Sequence, residues 1–257
     1  MGESEAVRVE RDGATFLVTL ANPERRNVLT LAAIEQLTSA FEEAGDSDAN
    51  GVILRAQGPV FSAGHDFTEM YEADLESVRH LFSRCSAMMM TIQSIPQPVV
   101  ASVQGLATGA GCQLVATCDL AVASEDSSFA TPGGKGGLFC TTPLVAVGRS
   151  IGRKRALEMA MTGDPIDAAT ALDWGLVNRV VAPGDLDVAT SDLLARATRG
   201  SRRSKAIGKL AFYEQIDLEV GSAYTVATEV MATASVTPDA QESIEAFIEK
   251  RVARWTA

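Results

Sequence analysis

Three short apolar runs, separated by helical patterns, constrain the fold of this chain most. The runs occupy residues 52–54, 99–103 and 120–123. Between the first two, apolar side chains recur every three or four residues from 75 to 92, which is the period of an amphipathic helix. A second helix is expected to begin near Ala110. Buried strands that alternate with helices favour an α/β fold with a largely parallel sheet.

The two ends of the chain have different patterns. Residues 7–10 and 15–20 alternate apolar and polar side chains around Asp12-Gly13, which predicts a β-hairpin. After residue 150 the strand signals nearly vanish and at least three helices are expected, one of them beginning at Thr237-Pro238. The sequence therefore predicts a core over residues 1–195. Residues 196–257 are predicted to form a helical region that packs on the core or on a neighbouring subunit.

Composition narrows the class of protein. The 257 residues include 22 Lys+Arg and 33 Asp+Glu, a net charge of -11, so the basic footprint of a nucleic-acid-binding protein is missing. The first ten residues are acidic and lack the apolar run of a signal peptide. Residues 98–118 are uncharged, but their glycine, glutamine and threonine content favours buried structure over a membrane span. We therefore expect a cytoplasmic protein that binds neither nucleic acid nor membrane.

Cysteine and histidine usage points away from a metal site. The chain has only two histidines, His65 and His80, and four cysteines without Cys-x-x-Cys spacing. The cysteines are expected to be reduced thiols, and no metal is expected.

Two glycine-containing segments are the strongest candidates for a functional site. Residues 61–66 follow the first buried strand, and residues 105–113 follow the second. Small residues allow a ligand to approach the main chain, and a helix that begins near Ala110 would direct unpaired N–H groups and its positive dipole end towards an oxyanion. Two such donors from separate loops can stabilise the enolate of a thioester.

A set of motifs in fixed order carries a family resemblance. The motifs are Asn22-Pro23 with Asn27-Val28-Leu29, Phe61-Ser62-Ala63-Gly64-His65-Asp66, Pro96-Gln97-Pro98-Val99, Gly105 with Gly109-Ala110-Gly111-Cys112, Cys118-Asp119-Leu120, and Leu176-Val177-Asn178. Over about residues 7–255 the chain resembles the crotonase (enoyl-CoA hydratase/isomerase) family. The resemblance implies a spiral of ββα units and a helical C-terminal region that forms a trimer or hexamer. It also implies an acyl-CoA ligand, with coenzyme A as part of the substrate and no separate cofactor.

The resemblance also implies roles for individual residues. The backbone N–H groups of His65 and Ala110 would form the oxyanion hole. The substrate-binding residues it implies are Arg25 and Ala63 along the CoA and adenine path, Asp66 beside the oxyanion loop, and Phe247 and Lys250, which can reach a neighbour's CoA.

The chain departs from the family at the groups that move protons. Family hydratases carry one glutamate directly after the glycine segment and another in a Gln-Pro-Glu segment; here these positions are Gln113 and Gly133. Glutamine cannot take a proton from water, and glycine has no side chain. Methylmalonyl-CoA decarboxylase has a similar oxyanion loop, but the tyrosine it uses corresponds to Cys140. Residues 111–116, 129–133 and 137–140 look most similar to the enoyl-CoA hydratase domain-containing protein 3 group, which also lacks both glutamates.

Three functions remain open at this point. The chain is an enoyl-CoA hydratase-like enzyme, a non-catalytic acyl-CoA binding or sensing trimer, or an enzyme for another crotonase-type reaction such as decarboxylation, isomerisation or thioester hydrolysis. For any turnover, His65 is the best candidate for proton transfer because the ordinary imidazole pKa lies near neutrality. Cys140 is the second candidate.

Overall fold

The computed structural model describes residues 6–255; residues 1–5, half of the acidic N-terminal segment, lie outside them, as do 256–257. The ten strands of this part are β1 Val7–Asp12, β2 Thr15–Leu20, β3 Gly51–Ala56, β4 Val60–Ser62, β5 Val99–Val103, β6 Leu106–Thr108, β7 Leu120–Ser124, β8 Ser128–Ala130, β9 Ile166–Asp167 and β10 Arg179–Val181. The ten α-helices are α1 Leu31–Asp46, α2 Leu75–Ser94, α3 Ala110–Thr117, α4 Pro143–Ile151, α5 Arg153–Thr162, α6 Ala168–Trp174, α7 Leu186–Ala197, α8 Arg202–Gln215, α9 Val220–Ser235 and α10 Pro238–Glu249.

The strands form two sheets that the chain visits in turn. The larger sheet has the order β1-β2-β3-β5-β7-β10, and the smaller has the order β4-β6-β8-β9. Among the strand pairs of residues 6–255, only the β1–β2 hairpin and the β8–β9 pair are antiparallel. Three successive units, β3-β4-α2, β5-β6-α3 and β7-β8-α4, each add one strand to each sheet and then a helix. This arrangement confirms the predicted α/β fold and the spiral of ββα units.

The central strands are largely apolar because both faces of the large sheet are covered. On one face Val52 and Leu54 belong to the main core, together with residues of α1, α2 and α3. On the other face Ile53, Val100 and Val122 pack against α7. Successive side chains of a strand point to opposite faces, so a single run of apolar residues contributes to both layers.

The first two helices begin at polar caps. The Thr30 hydroxyl accepts a hydrogen bond from the Ala33 N–H at the start of α1. At the start of α2 the Asp74 carboxylate accepts from the Ser77 N–H. Each cap satisfies one of the backbone donors that a helix leaves unpaired at its first turn.

The C-terminal region is helical, as predicted, and α10 begins at Pro238 with Thr237 as its cap. The division at residue 195 stays a prediction, and it falls in the last turn of α7, which covers the large sheet. Neither α8 nor α9 has a buried residue in the single chain. Among residues 6–255 there is no helix with the length and apolarity needed to span a bilayer.

Candidate active site

Two loops meet at the ends of neighbouring strands. Strands β4 and β6 run parallel, so the loops that follow them lie side by side. Gly64 and Gly109 both have positive φ, 80° and 57°, which a residue with a side chain adopts only with strain. A Cβ placed on Gly64 would lie 2.8 Å from the Thr108 carbonyl oxygen and 3.1 Å from the Ala110 nitrogen. Glycine at position 64 therefore permits the two loops to touch.

The point of contact presents two unpaired donors. Ala110 is the first residue of α3, where a helix has no internal acceptor for its N–H groups. Within residues 6–255 neither the Ala110 N–H nor the His65 N–H donates a hydrogen bond. The positive end of the α3 dipole adds to the attraction for a negative oxygen. The role of these two donors as an oxyanion hole stays a prediction.

These donors belong to residues that line a cavity of about 520 Å³. The cavity brings together five of the residues that the sequence selected: Ala63, His65, Ala110, Gly133 and Cys140. Most of the other lining side chains are apolar, including Phe67, Met70, Phe82, Pro132, Leu138, Phe139 and Pro143. No aspartate, glutamate, lysine or arginine is among the lining residues described in this structure. The cavity suits an apolar group attached to a carbonyl.

The His65 imidazole is packed rather than solvated. Its ring meets the Phe82 ring edge to face, with the centroids 5.1 Å apart. Both ring nitrogens are buried and neither makes a hydrogen bond of acceptable geometry. Burial lowers the pKa of His65, an effect that the backbone of Leu29 only partly offsets, so the ring is neutral at pH 7.

Gly133 and Cys140 face each other across a closed loop. The Gly133 N–H donates to the Cys140 Sγ over 3.2 Å. Burial raises the pKa of the Cys140 thiol, and the Gly133 N–H opposes the shift without reversing it. A Cβ on Gly133 would lie 1.9 Å from the Leu138 carbonyl oxygen. The loop thus leaves no room for the acid that family hydratases carry at position 133.

Gln113 is not among the lining residues. It lies one turn into α3 and is buried, and its Oε1 has no hydrogen-bond partner within the described residues. Its side-chain amide does not titrate and cannot act as a general acid or base. Both positions that hold the family's glutamates therefore lack an acid, and only one of them borders the cavity.

Arg25 and Asp66 pair with each other outside the cavity lining. The Arg25 guanidinium lies 2.6 Å from the Asp66 carboxylate, which also accepts hydrogen bonds from the Thr68 N–H and hydroxyl. Burial acts to raise the pKa of Asp66, but the Thr68 hydrogen bonds and the Arg25 charge outweigh it and hold the pKa below its usual value. Phe247 and Lys250, at the end of α10, are exposed and do not line the cavity of the single chain.

Sequence reasoning assigned no role to several residues of the site. Phe82, in α2, and Met70, in the segment before α2, border the cavity. Ser62 and Asn27 lie within the motifs that carried the resemblance, and both are buried and polar. A buried polar residue needs hydrogen-bond partners, so a polar residue inside one of these motifs was the available signal.

A family model described as enoyl-CoA hydratase/isomerase matches residues 10–257. The chain therefore belongs to the enoyl-CoA hydratase/isomerase family.

Individual relatives agree with this placement. Mouse (Mus musculus) "Enoyl-CoA hydratase domain-containing protein 3, mitochondrial" is 46% identical over 249 residues, which cover 96% of this chain and 83% of the relative. A crystal structure of an enoyl-CoA hydratase from Mycobacterium smegmatis has a TM-score of 0.95 at 43% identity and covers 98% of this chain and 99% of its own. The human enoyl-CoA hydratase domain-containing protein 3 structure has a TM-score of 0.94 at 43% identity, with coverages of 98% and 100%. The resemblance to this group is confirmed.

One expectation is overturned by the same relatives. The sequence predicted a cytoplasmic protein, but the mouse, rat and human proteins of this group are all named as mitochondrial. The cytoplasmic prediction is therefore wrong. It had been drawn from an acidic N-terminus and reduced cysteines, and neither feature distinguishes the cytoplasm from another reducing compartment.

Proposed function

We propose that this protein binds an acyl-CoA thioester and does not hydrate 2-enoyl-CoA at an ordinary enzymatic rate. The thioester oxygen would lie between the N–H groups of His65 and Ala110. The observation that carries the proposal is the pair of unpaired N–H groups where the two loops touch, beside an apolar cavity. Coenzyme A would enter as part of the ligand, and no separate cofactor is required.

The side chains available for proton transfer argue against hydration. Hydration needs a base to take a proton from water and an acid to return one to carbon, and losing each typically costs about 10²–10⁴ in rate. Neither Gln113 nor Gly133 offers a titratable group. His65 is neutral, but its nitrogens are buried away from solvent, and Cys140 remains a protonated thiol at pH 7.

The cavity lining also bears on the other family reactions. A substrate for decarboxylation carries a carboxylate on its acyl group, and burying that charge without a partner is costly. The described lining includes no lysine or arginine to pair with it. Binding without turnover, as in an acyl-CoA sensor, is therefore the alternative that the lining favours over decarboxylation.

We further propose that the protein forms trimers or hexamers through α8 and α9. These helices expose large apolar side chains in the single chain: Leu210, Phe212, Val220, Tyr224 and Met231. An apolar surface of this kind marks a contact with another molecule. In the oligomer Phe247 and Lys250 would approach the CoA of a neighbour. Light scattering coupled to size-exclusion chromatography measures the state, and a monomer at micromolar concentration would refute this part.

The test of function separates binding from turnover. Purified protein is mixed with crotonyl-CoA and with a long-chain 2-enoyl-CoA, and loss of the enoyl thioester absorbance reports hydration. Titration calorimetry with the same ligands reports binding. We expect heat of binding without turnover in the range of roughly 1–10³ per second that is typical of enzymes. Turnover in that range would refute the absence of hydration, and absence of binding would refute the acyl-CoA site.

A variant of Ala110 tests the oxyanion hole directly. Ala110→Pro removes the N–H at the first position of a helix, where proline is well tolerated, and fills the hole with ring carbons. Ala110→Gly keeps the N–H and serves as the matched control. We expect Ala110→Pro to weaken acyl-CoA binding at least about 10-fold, because it combines a lost hydrogen bond with a steric block. Equal affinities for the two variants would contradict this geometry.

A further inference from the structure

We propose that Ser62 is a positioning residue that holds the two N–H donors of the oxyanion hole at their separation. The inference rests on the proposed function, since it concerns how that same site is built. Ser62 is the last residue of β4 and is completely buried. It contacts the loop that contains His65 and also the first turn of α3.

The Ser62 hydroxyl makes the first of these contacts with two hydrogen bonds. It donates to the Asn27 carbonyl oxygen over 2.8 Å and accepts from the Gly64 N–H over 3.2 Å. Gly64 directly precedes His65, so the peptide that carries the His65 N–H begins at the residue Ser62 holds. The Gly64 carbonyl on that same peptide accepts from the Leu29 N–H over 2.8 Å. The direction of the His65 N–H is therefore fixed from both ends of Gly64.

The acceptor for the Ser62 hydroxyl is itself immobile. Asn27 is buried, and both it and Arg26 have positive φ, at 51° and 53°. The Asn27 side-chain amide donates to the carbonyl oxygens of Gln57 and Val60 over 2.9 and 2.8 Å. Conformations of this kind persist only where the surroundings impose them, and they are concentrated at functional sites. The hydrogen bond from Ser62 thus connects the loop to a fixed support.

The second contact is with the helix that supplies the other donor. A Cβ on Gly111 would lie 2.5 Å from the Ser62 carbonyl oxygen and 2.8 Å from the Ser62 Cβ. Ser62 therefore lies directly against the backbone of α3, one residue after Ala110. Because one side chain and its own backbone contact both halves of the hole, the position of Ser62 sets the distance between the donors.

The experiment isolates the carbonyl contact by comparing two ligands. Butyryl-CoA is a thioester, whereas S-butyl-CoA is the thioether that lacks the carbonyl oxygen. The ratio of their dissociation constants reports the hydrogen bonds to that oxygen, while losses common to both ligands cancel. From the usual strength of such bonds we expect the wild-type protein to prefer the thioester by roughly 5- to 100-fold for two bonds. In Ser62→Ala we expect this preference to fall at least about 3-fold.

The matched control is Ser102→Ala. Ser102 is a buried serine in β5 whose hydroxyl accepts a hydrogen bond from the Thr190 hydroxyl of α7, on the side of the sheet away from the cavity. We expect it to lower stability as Ser62→Ala does and to leave the thioester preference unchanged. Infrared spectra of bound ¹³C-labelled butyryl-CoA give an independent readout. The carbonyl stretch should return towards its solution frequency in Ser62→Ala only.

The outcomes distinguish this inference from the proposed function. A wild-type protein that binds both ligands equally has no oxyanion hole, and the proposed placement of the thioester oxygen between His65 and Ala110 fails. A wild-type preference that persists in Ser62→Ala, or falls equally in Ser102→Ala, overturns the role of Ser62 alone. If Ser62→Ala does not fold, Ser62→Cys serves in its place: its thiol is a weaker donor and acceptor, so a reduced preference supports the inference and an unchanged one overturns it.

Discussion

Replacing Gly133 with alanine tests whether the loss of the second glutamate is built into the backbone. The added Cβ would lie 1.9 Å from the Leu138 carbonyl oxygen and 2.8 Å from the Cys140 Sγ. Ordinary carbon–oxygen contacts are about 3.3–3.6 Å, so one side of the loop must move by roughly 1.4 Å or more. The Gly133 carbonyl accepts hydrogen bonds from the N–H groups of Gly136 and Leu138, both over 3.0 Å. Such a movement would strain these bonds as well as the contact with Cys140.

The expected loss of stability in Gly133→Ala follows from the cost of overpacking. Inserting a methyl group into a closely packed site costs about 1–3 kcal/mol. For a chain of this size, 1 kcal/mol lowers the melting temperature by roughly 2–4 °C. We therefore expect Gly133→Ala to melt about 2–12 °C below the wild-type protein. The control is Gly136→Ala in the same exposed loop, where the nearest atom to the added Cβ is 3.8 Å away. It should change stability by less than about 1 kcal/mol.

The assay combines denaturation with the enoyl thioester absorbance. Equilibrium unfolding in urea gives the free energy of each variant, and the absorbance of crotonyl-CoA shows whether hydration appears. The double variant Gln113→Glu/Gly133→Glu has glutamate at both positions, as family hydratases do. We still expect no hydratase activity, because the loop has no room for the glutamate side chain at position 133. Equal stability of Gly133→Ala and Gly136→Ala, or hydration of crotonyl-CoA by the double variant, would refute a loop that is closed to a side chain at position 133.

Three further predictions concern charge and protonation. Lys209→Met should lower the free energy of unfolding by about 3–5 kcal/mol, because the buried Lys209 ammonium pairs with Asp119 at 2.8 Å and its removal leaves that carboxylate poorly compensated. Lys205→Met, exposed on the same helix, is the control, and equal losses in urea unfolding would contradict the prediction. The pKa of Asp66 is lowered in the folded protein, so its contribution to stability is present above the unfolded pKa of about 4 and is lost as the pH falls through the folded pKa. Asp66→Asn should therefore differ from the wild type at pH 7 and converge with it in acid; a difference independent of pH in urea titrations would count against this assignment. Burial raises the pKa of the Cys140 thiol, so iodoacetamide should alkylate it at pH 7 more slowly than a free cysteine, and bound acyl-CoA should slow it further. Mass spectrometry of the labelled peptide would reject this if the rate equalled that of free cysteine.

The sequence determined the fold to a large extent. Strands such as residues 99–103 are apolar on both faces, and this pattern is typical of the interior of a parallel sheet between two layers of helices. The caps Thr30 and Asp74 mark where α1 and α2 begin, because backbone donors at a helix start need a local acceptor. Short strands were harder to predict. β9 and β10, after residue 150, have two and three residues, and pairing with strands distant in sequence decides them.

The sequence also determined which loops form the site and which two acidic groups the site lacks. Glutamine at position 113 and glycine at position 133 exclude the two acids whatever the conformation, because protonation depends on the functional group that a side chain carries. Only the tertiary structure decided which groups border the cavity. It buried the His65 nitrogens, paired Arg25 with Asp66 and closed the loop around Gly133, so that a side chain there would collide with the Leu138 carbonyl. These outcomes depend on distances between segments far apart in the chain, and no local pattern of residues encodes a distance.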